Sequence, residues 1–581
     1  MVRRGDEVAQ SHRVEASIHT LAGAWPGSPA VDDDLVDACQ FLGFPDPFLL
    51  VAAANSLGTV IGVLTLVVVA LSGAISLLPL ALLVAAVPPL IARHGTKGAA
   101  RLKRTRGLGT APALFGRLTL RLRVEPSLER ASRFAARSGE GRLASALGEH
   151  VRQAQRRPEA GLRSFAAEWA DWAPAVERAS ALVADAAEGA PERRERGYDR
   201  ALETVLTGAE RRLASFAEEL RGPLTGLYAF GVLLPLALVG VLPAARLAGL
   251  TVGIQVLVLL YDVVIPLGLL VAGSWLLTRR PVAFPPPQVD ATHPNVPDKR
   301  VEATLLGFGT GVATAAICAF VLPWALHIAA FGVGVGVGVA RYFEPRNDVR
   351  ERVRAVESGL PDALSLVGRR VADGMAVEQA LAEVGSELPG VTGELLTEAG
   401  ERGKRLGLPV QAAFFGRHGV LADVPSNRAR DTGTMLSLAA TEGAPAGDVL
   451  VVAGDHLRAL HQVEADARQE LAAVTGTLAN TAVLFGPLVG GVTVSMVSGI
   501  PTGAKATPSG AVGTGAATFG TAALGQTVGV YVLALAVLLT ALSTALEHGI
   551  DRSLIGYRVG IALPMATGAY IAAVVAAGAA L

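Results

Sequence analysis

Cysteine, aromatic and charged residues are scarce in this chain of 581 residues. Cys39 and Cys318 are the only cysteines, so they cannot build a disulfide framework or a cysteine-rich zinc site. Charged residues make up 18% and aromatic residues 5%, and the formal net charge is zero. A nucleic-acid partner is therefore not expected, because the chain offers neither a basic field nor many rings for base stacking.

Two catalytic signatures are also absent from the sequence. The phosphate-binding loop G-x-x-x-x-G-K-[S/T] does not occur, and Gly95-Thr96-Lys97-Gly98 lacks its spacing, which favours a membrane-flanking loop. An intramembrane aspartyl protease needs one aspartate in G-x-G-D, whereas Gly447-Asp448 is better explained as an acidic residue early in a helix. We therefore expect no enzymatic activity, no cofactor and no metal site.

Hydrophobic residues are abundant, at 51% of the chain, and the mean hydropathy is +0.44. They are collected in runs that are long enough to cross a bilayer as helices. The first 46 residues hold no apolar core of signal-peptide length, so we expect insertion through the chain's own spans. Nine spans are predicted, at 48–72, 73–91, 224–242, 252–277, 303–321, 322–340, 471–496, 527–546 and 559–580.

The distribution of basic residues predicts the orientation of these spans. Lysine and arginine are concentrated after the second span, between the fourth and fifth, after the sixth and between the last two. All these segments fall on one side, which the positive-inside rule makes cytoplasmic, whereas the loop from Ser498 to Gly525 carries only Lys505. The N-terminus is thus predicted to be cytoplasmic and the C-terminus extracellular, in a multi-pass protein of the cell membrane.

Two polar regions of similar length interrupt the spans, and each leads through an amphipathic stretch into a span. The fold class predicted is all-α, a polytopic membrane protein with about nine transmembrane helices and two repeated cytoplasmic helical bundles. The chain is predicted to begin with an N-terminal cytoplasmic segment (1–46), a transmembrane pair (47–93), a first cytoplasmic helical domain (94–223) and a second transmembrane pair (224–277). A proline-rich cytoplasmic linker (278–302), a third pair (303–340), a second cytoplasmic helical domain (341–470) and three C-terminal spans (471–581) follow.

Ordered sequence matches support the repeat. The interval from Pro112 to Glu129 recurs between Pro361 and Glu378. Glu188-Gly189-Ala190-Pro191 likewise recurs as Glu442-Gly443-Ala444-Pro445. Glycine can end a helix and proline can begin the next, so each of these four-residue motifs is predicted to separate a bundle helix from a long helix entering the membrane.

This arrangement resembles the type II secretion system protein F family, which includes the platform proteins of type IV pili and, in archaea, of archaella and adhesive pili. The family pattern has an L-P-x-A-L-like helix, a G-x-x-(L/V)-E-x-A-L segment and a late Glu-Gly motif. Gly374 to Leu381 and Glu442-Gly443 match it, whereas the first copy has Val124-Glu125-Pro126 at the turn glycine. With nine predicted spans, the chain is more similar to the archaeal branch of this family than to its shorter bacterial members.

The resemblance implies a membrane platform protein that couples a hexameric secretion ATPase to pilin or archaellin subunits in the lipid membrane, with a homodimer as one open arrangement. A polytopic transporter or permease is the alternative, because repeated membrane units and an intramembrane carboxylate occur in that class too. The candidate partner-contact or hinge residues are Glu188, Gly189, Gly374, Glu378, Glu442 and Gly443.

Four further expectations concern individual residues or short groups of residues. Asp262 lies inside a predicted span, where it could make a structural hydrogen bond, contact a subunit or serve a proton or ion path. Glu188 and Glu442 should each end a helix, where the helix dipole disfavours an acidic side chain. Each could pair with an intradomain arginine, pair with a basic residue of the ATPase, or simply be exposed to solvent. Pro223 should interrupt the first junction and leave the second junction stiffer. The alternate glycines from Gly332 to Gly338 should favour close helix packing over a lipid-facing tract.

Overall fold

The structure is a computed structural model that describes residues 20–42, 44, 46–72, 85–139, 141–154, 158–247, 253–280, 289, 293–498 and 521–580. Helices account for nearly all the secondary structure of these residues, and they include no strand. The chain divides into two units, one made of residues 1–105 with 274–280 and the other of 106–273 with 281–581.

The first unit contains two N-terminal helices and most of a third. Helices α1, α2 and α3 span Asp33–Leu42, Pro47–Ser72 and Thr96–Leu108. Lys97 of α3 forms an ion pair with Asp32, and this contact lowers the pKa of the Asp32 carboxyl. The expectation of a loop at 95–98 is wrong, because a π-helical turn at Ile91–Gly95 continues directly into α3.

The second unit begins with six helices that surround one buried apolar cluster, here called the first core. Helices α4 to α9 span Ala111–Val124, Leu128–Ser138, Arg142–Gln153, Pro158–Trp169, Pro174–Glu188 and Pro191–Tyr228. Phe115, Phe165 and Tyr198 are almost fully buried in the first core. The periodic apolar residues of these helices therefore meet in one place, as amphipathic helices require.

Membrane-type helices follow the first core. Helices α10 to α14 span Leu234–Leu247, Ile254–Val258, Ile265–Arg279, Arg300–Val321 and Leu326–Ala372. A π-helical turn at Ala229–Leu233 joins α9 to α10, and another at Leu259–Val264 joins α11 to α12. The glycine-rich sixth span is helical and forms one continuous helix of 47 residues with the start of the next polar region.

The last part of the chain repeats the alternation of polar and apolar helices. Helices α15 to α22 span Val377–Glu387, Val391–Leu406, Val410–Phe415, Asn427–Glu442, Pro445–Asn480, Gly486–Ser498, Thr521–His548 and Arg552–Ala580. A second core forms between α14 and α19 and buries Val356, Leu364 and Phe414. The predicted loop around Ser509 lies outside the described residues.

Eight helical segments of the described chain are long and apolar enough to cross a membrane, so the protein is a multi-pass membrane protein. They are Pro47–Val67, Arg193–Val241, Ile254–Arg279, Arg300–Val321, Pro323–Ala372, Ala446–Val497, Ala522–His548 and Arg552–Ala580. Each contains or overlaps one predicted span. The remaining prediction, at 73–91, lies largely outside the described residues.

The alternate glycines of α14 pack against two different helices. A Cβ on Gly334 would lie 2.8 Å from the carbonyl oxygen of Gly307 in α13, and one on Gly336 would lie 2.3 Å from Cδ of Pro564 in α22. Residues four apart share a helix face, whereas residues two apart point in nearly opposite directions. Two interleaved G-x-x-x-G spacings therefore serve two neighbours, which confirms the packing interpretation.

Candidate functional site

The two predicted motifs that separate a bundle helix from a long helix have the expected secondary structure. Helix α8 ends at Glu188 and α9 begins at Pro191, while α18 ends at Glu442 and α19 begins at Pro445. Proline suits the first turn of a helix because its missing N–H would have no partner there in any case. The sequence prediction that each motif stops one helix and starts the next is confirmed.

The glycines of the two motifs differ in backbone conformation. Gly443 has φ of +73° and ψ of −150°, whereas Gly189 has φ of −78° and ψ of 171°. The conformation of Gly443 is accessible almost only to glycine, whereas any residue can adopt that of Gly189. The same sequence motif therefore depends strictly on glycine in the second copy only.

We expect Gly443→Val to lower stability by about 1–3 kcal/mol, because valine is strained at this positive φ. A Cβ at Gly443 would meet no atom within 4 Å, so the effect isolates the backbone term. Gly189→Val is the matched control, and its cost should stay within about 1 kcal/mol since φ there is negative. Thermal unfolding of the detergent-purified proteins measures both, and equal losses in the two variants would contradict the assignment.

The carboxylates at the ends of α8 and α18 have no described cationic partner. Glu188 and Glu442 are both exposed, and neither forms an ion pair with a described residue. Nε of Arg194 instead donates a hydrogen bond to the carbonyl oxygen of Gly189, at 2.8 Å. The expected pairing with an intradomain arginine is therefore not found in the described part of the chain.

The predicted turn glycine of the second core is also in place. Gly374 has φ of +93°, and its N–H donates to the carbonyl oxygen of Val371 at 3.0 Å after α14 ends. Glu378 is exposed in the first turn of α15, where the helix dipole favours an acid. These two positions form an ordinary helix stop and start.

The corresponding turn between α4 and α5 is made without glycine. Glu125 is extended, with φ of −138°, and its carboxylate pairs with Arg121 at 2.9 Å and also with Arg130. Two arginines from the flanking helices thus stabilise this turn in the first core, whereas the equivalent turn in the second core contains Gly374 at a positive φ. The first copy therefore needs no glycine at this turn, because φ of Glu125 is negative.

Each junction that leads from a core into the next span contains a π-helical turn, whereas α14 joins the sixth span to the second core without one. The turns lie at Ala229–Leu233 after α9 and at Thr481–Phe485 after α19. Such turns are rare and often occur at functional sites. Pro223 lies inside α9, which continues to Tyr228, so the expected interruption at this proline is wrong.

Two buried tyrosines contact the first junction, and the sequence analysis did not identify them. Tyr531 donates a hydrogen bond to the carbonyl oxygen of Gly231, and Tyr261 donates to that of Pro235. Their rings meet edge to face with centroids 5.3 Å apart. A tyrosine in the middle of an apolar span needs a hydrogen-bond partner, and this was the signal in the sequence.

Asp262 lies next to Tyr261 in the π-helical turn at Leu259–Val264. Its Oδ1 is buried, and the carboxylate makes no hydrogen bond to any described residue. The structural hydrogen bond that was one of the three expectations is therefore not found in the described chain. A contact with a subunit and a proton or ion path stay as predictions.

The two cores contact each other through α4. Arg117 of α4 forms an ion pair with Asp431 of α18, and a Cβ on Gly116 would lie 2.6 Å from Nε2 of His456 in α19. Leu120 belongs to the second core although its helix packs mainly on the first. Side chains of α4 thus touch both cores.

The searched part of the chain holds no group of three or more histidine, cysteine, aspartate or glutamate side chains that could bind a metal ion. Comparisons with protein-family models, curated proteins and solved structures found no match.

Proposed function

We propose that this protein is an integral membrane platform for the assembly of an archaeal type IV pilus-like filament. It couples a cytoplasmic hexameric secretion ATPase to pilin or archaellin subunits, and it has a cytoplasmic N-terminus and an extracellular C-terminus. The observation that supports this most strongly is that each core continues into the membrane segments through helices, with no intervening loop.

The lengths of these helices suit transmission of a displacement. The helical segment Ala446–Val497 has 52 residues, which corresponds to roughly 78 Å at about 1.5 Å per residue. The hydrocarbon core of a bilayer is about 30 Å thick, so such a helix extends well beyond it. A push or rotation applied to the second core would reach the lipid-facing segment along one helix.

The order of elements supports two copies of one unit. Each core begins with a helix that carries the repeated proline, Pro112 or Pro361, and a short helix follows it. Further helices, the Glu-Gly turn, a long helix and a π-helical turn come next in both cores. Arg117 and Asp431 join the two copies, so a force on one is shared with the other. Glu188 and Glu442, exposed at equivalent turns, are candidates for contact with basic residues of the ATPase.

A transporter or permease is the alternative, and the unpartnered carboxylate of Asp262 favours it. Paired broken helices of the kind that bind substrates in transporters would be needed around it. The π-helical turns keep the helices continuous instead, so the platform function explains more of the structure.

Deletion of the gene is expected to abolish surface filaments, because no other part would link ATPase motion to the subunits. Processed subunits should accumulate in the membrane, and the ATPase should copurify with the tagged wild-type protein. Electron microscopy of cells and immunoblots of membrane fractions measure both. Re-expression of the wild-type chain is the control, and normal filaments in the deletion strain would refute the platform function and revive the transporter alternative.

A further inference from the structure

A cluster of charged side chains lies where α14 and α19 meet the turn between α21 and α22. Arg350 of α14 is 1% exposed and lies 3.3 Å from a carboxylate oxygen of Asp551. Arg558 lies 3.3 Å from Glu547, whose other oxygen accepts a hydrogen bond from Thr475. The cluster joins the polar parts of two long helices to the connection between two spans.

The charges in this cluster do not balance. Arg468 pairs with Glu464, which Arg428 also contacts at 3.0 Å, and Arg428 reaches Glu357 at 3.5 Å. The cluster thus holds five guanidinium groups against four carboxylates: Arg350, Arg354, Arg428, Arg468 and Arg558 against Glu357, Glu464, Glu547 and Asp551. With histidines counted as neutral, the cluster therefore has one positive charge in excess.

Arg354 carries the excess charge. It lies one helical turn after Arg350, is half-buried, and makes no hydrogen bond or ion pair with a described residue. It lies in the electrostatic range of Arg468 and Arg558, which repel it, and of Glu464 and Asp551, which attract it. Those two carboxylates already form ion pairs with Arg468 and Arg350. A partly desolvated arginine held against two others is unfavourable unless an anion neutralises the group.

We propose that Arg354, Arg468 and Arg558 bind the phosphate of one anionic phospholipid headgroup. Guanidinium groups match phosphate oxygens through paired hydrogen bonds, and basic sites between membrane helices suit such headgroups. The side chains of Arg468 and Arg558 are 45% and 40% exposed, so a ligand can reach them.

The surface beside Arg558 distinguishes a lipid from a free phosphate ion. Ile561 and Met565 follow Arg558 at helical spacing on the same face of α22, and they are 41% and 57% exposed. An acyl chain attached to a phosphate at Arg558 would lie along this apolar face. A free phosphate would make no use of it.

The test is native mass spectrometry of the detergent-purified full chain with phosphatidylglycerol, phosphatidylcholine or inorganic phosphate. The wild type should bind one phosphatidylglycerol at least ~10-fold more tightly than phosphatidylcholine. Arg354→Gln should weaken phosphatidylglycerol binding by ~10-fold or more, as expected for loss of a charged hydrogen bond. Arg352→Gln is the matched control, since Arg352 is exposed on the same helix.

Equal affinity for the two lipids, or equal effects of the Arg354 and Arg352 substitutions, would overturn the proposal. Binding of inorganic phosphate that depends on Arg354, without preference for phosphatidylglycerol, would also overturn it in favour of a free anion. Should Arg354→Gln fail to fold, Arg558→Gln decides in its place, because its side chain is the more accessible. The same ~10-fold loss is then expected.

Discussion

Gly307→Val is expected to destabilise the membrane region by about 3 kcal/mol, at the upper end of the usual cost of overpacking. A Cβ at Gly307 would lie 2.6 Å from the carbonyl oxygen of Gly334 and 3.1 Å from Cα of Gly338. Both obstacles are backbone atoms, so no side chain can rotate away. Helices α13 and α14 would have to separate, and the contacts along their interface would be lost.

Gly309→Val is the matched control for this prediction. Gly309 lies on the same helix two residues later, and a Cβ there would meet no atom within 4 Å. Its cost should stay within about 0.5 kcal/mol, as for most substitutions away from packed sites. Thermal unfolding and the yield of monodisperse protein in detergent measure the pair. Similar behaviour of the two variants would show that α13 and α14 do not approach closely at Gly307.

Gly476→Pro is expected to reduce filament assembly at least ~10-fold. Proline removes a helical hydrogen bond and clashes with the carbonyl four residues earlier, at a cost of about 3 kcal/mol or more. Gly476 lies in α19, between the second core and the π-helical turn at Thr481–Phe485. A bend there would uncouple the core from the span even if both parts stay folded.

Gly476→Ala is the control, since a Cβ at this position would meet no atom within 4 Å and alanine favours a helix more than glycine does. Filaments per cell are counted by electron microscopy in the complemented deletion strain, at membrane protein levels matched by immunoblot. Suppose that the deletion removes filaments but that the Gly476→Pro variant restores them as well as the Gly476→Ala variant does. The protein would then be required for assembly, but transmission through a rigid α19 would be contradicted.

Local sequence chemistry predicted much of the fold. Runs of apolar residues located the eight candidate spans in the described chain, because crossing a bilayer sets the length and polarity of a helix. The helix ends at Glu188 and Glu442 followed from glycine and proline, which act on their own backbone. Local preferences failed at Pro223 and at 95–98, where neighbouring helical turns continue through residues that often end a helix.

The candidate site was less predictable because its contacts join distant parts of the chain. Tyr531 and Gly231 are 300 residues apart, and Arg117 and Asp431 are 314 apart. Hydrophobic periodicity gives the face of a helix that is buried, but not the helix that covers it. For this reason Asp262 could be identified as an intramembrane carboxylate, while its lack of a described hydrogen bond could not.

The sequence by itself determined a helical multi-pass membrane protein with glycine-proline turns before two long helices. Hydropathy and backbone preferences act over a few residues, so one sequence suffices to read them. Only the tertiary structure decided that Gly334 and Gly336 face different helices, and that Gly443 needs a positive φ while Gly189 does not. It also decided that Arg354 lies near Arg468 and Arg558 without an ion pair to a described residue. These outcomes depend on which surfaces meet, and close packing between distant segments sets that.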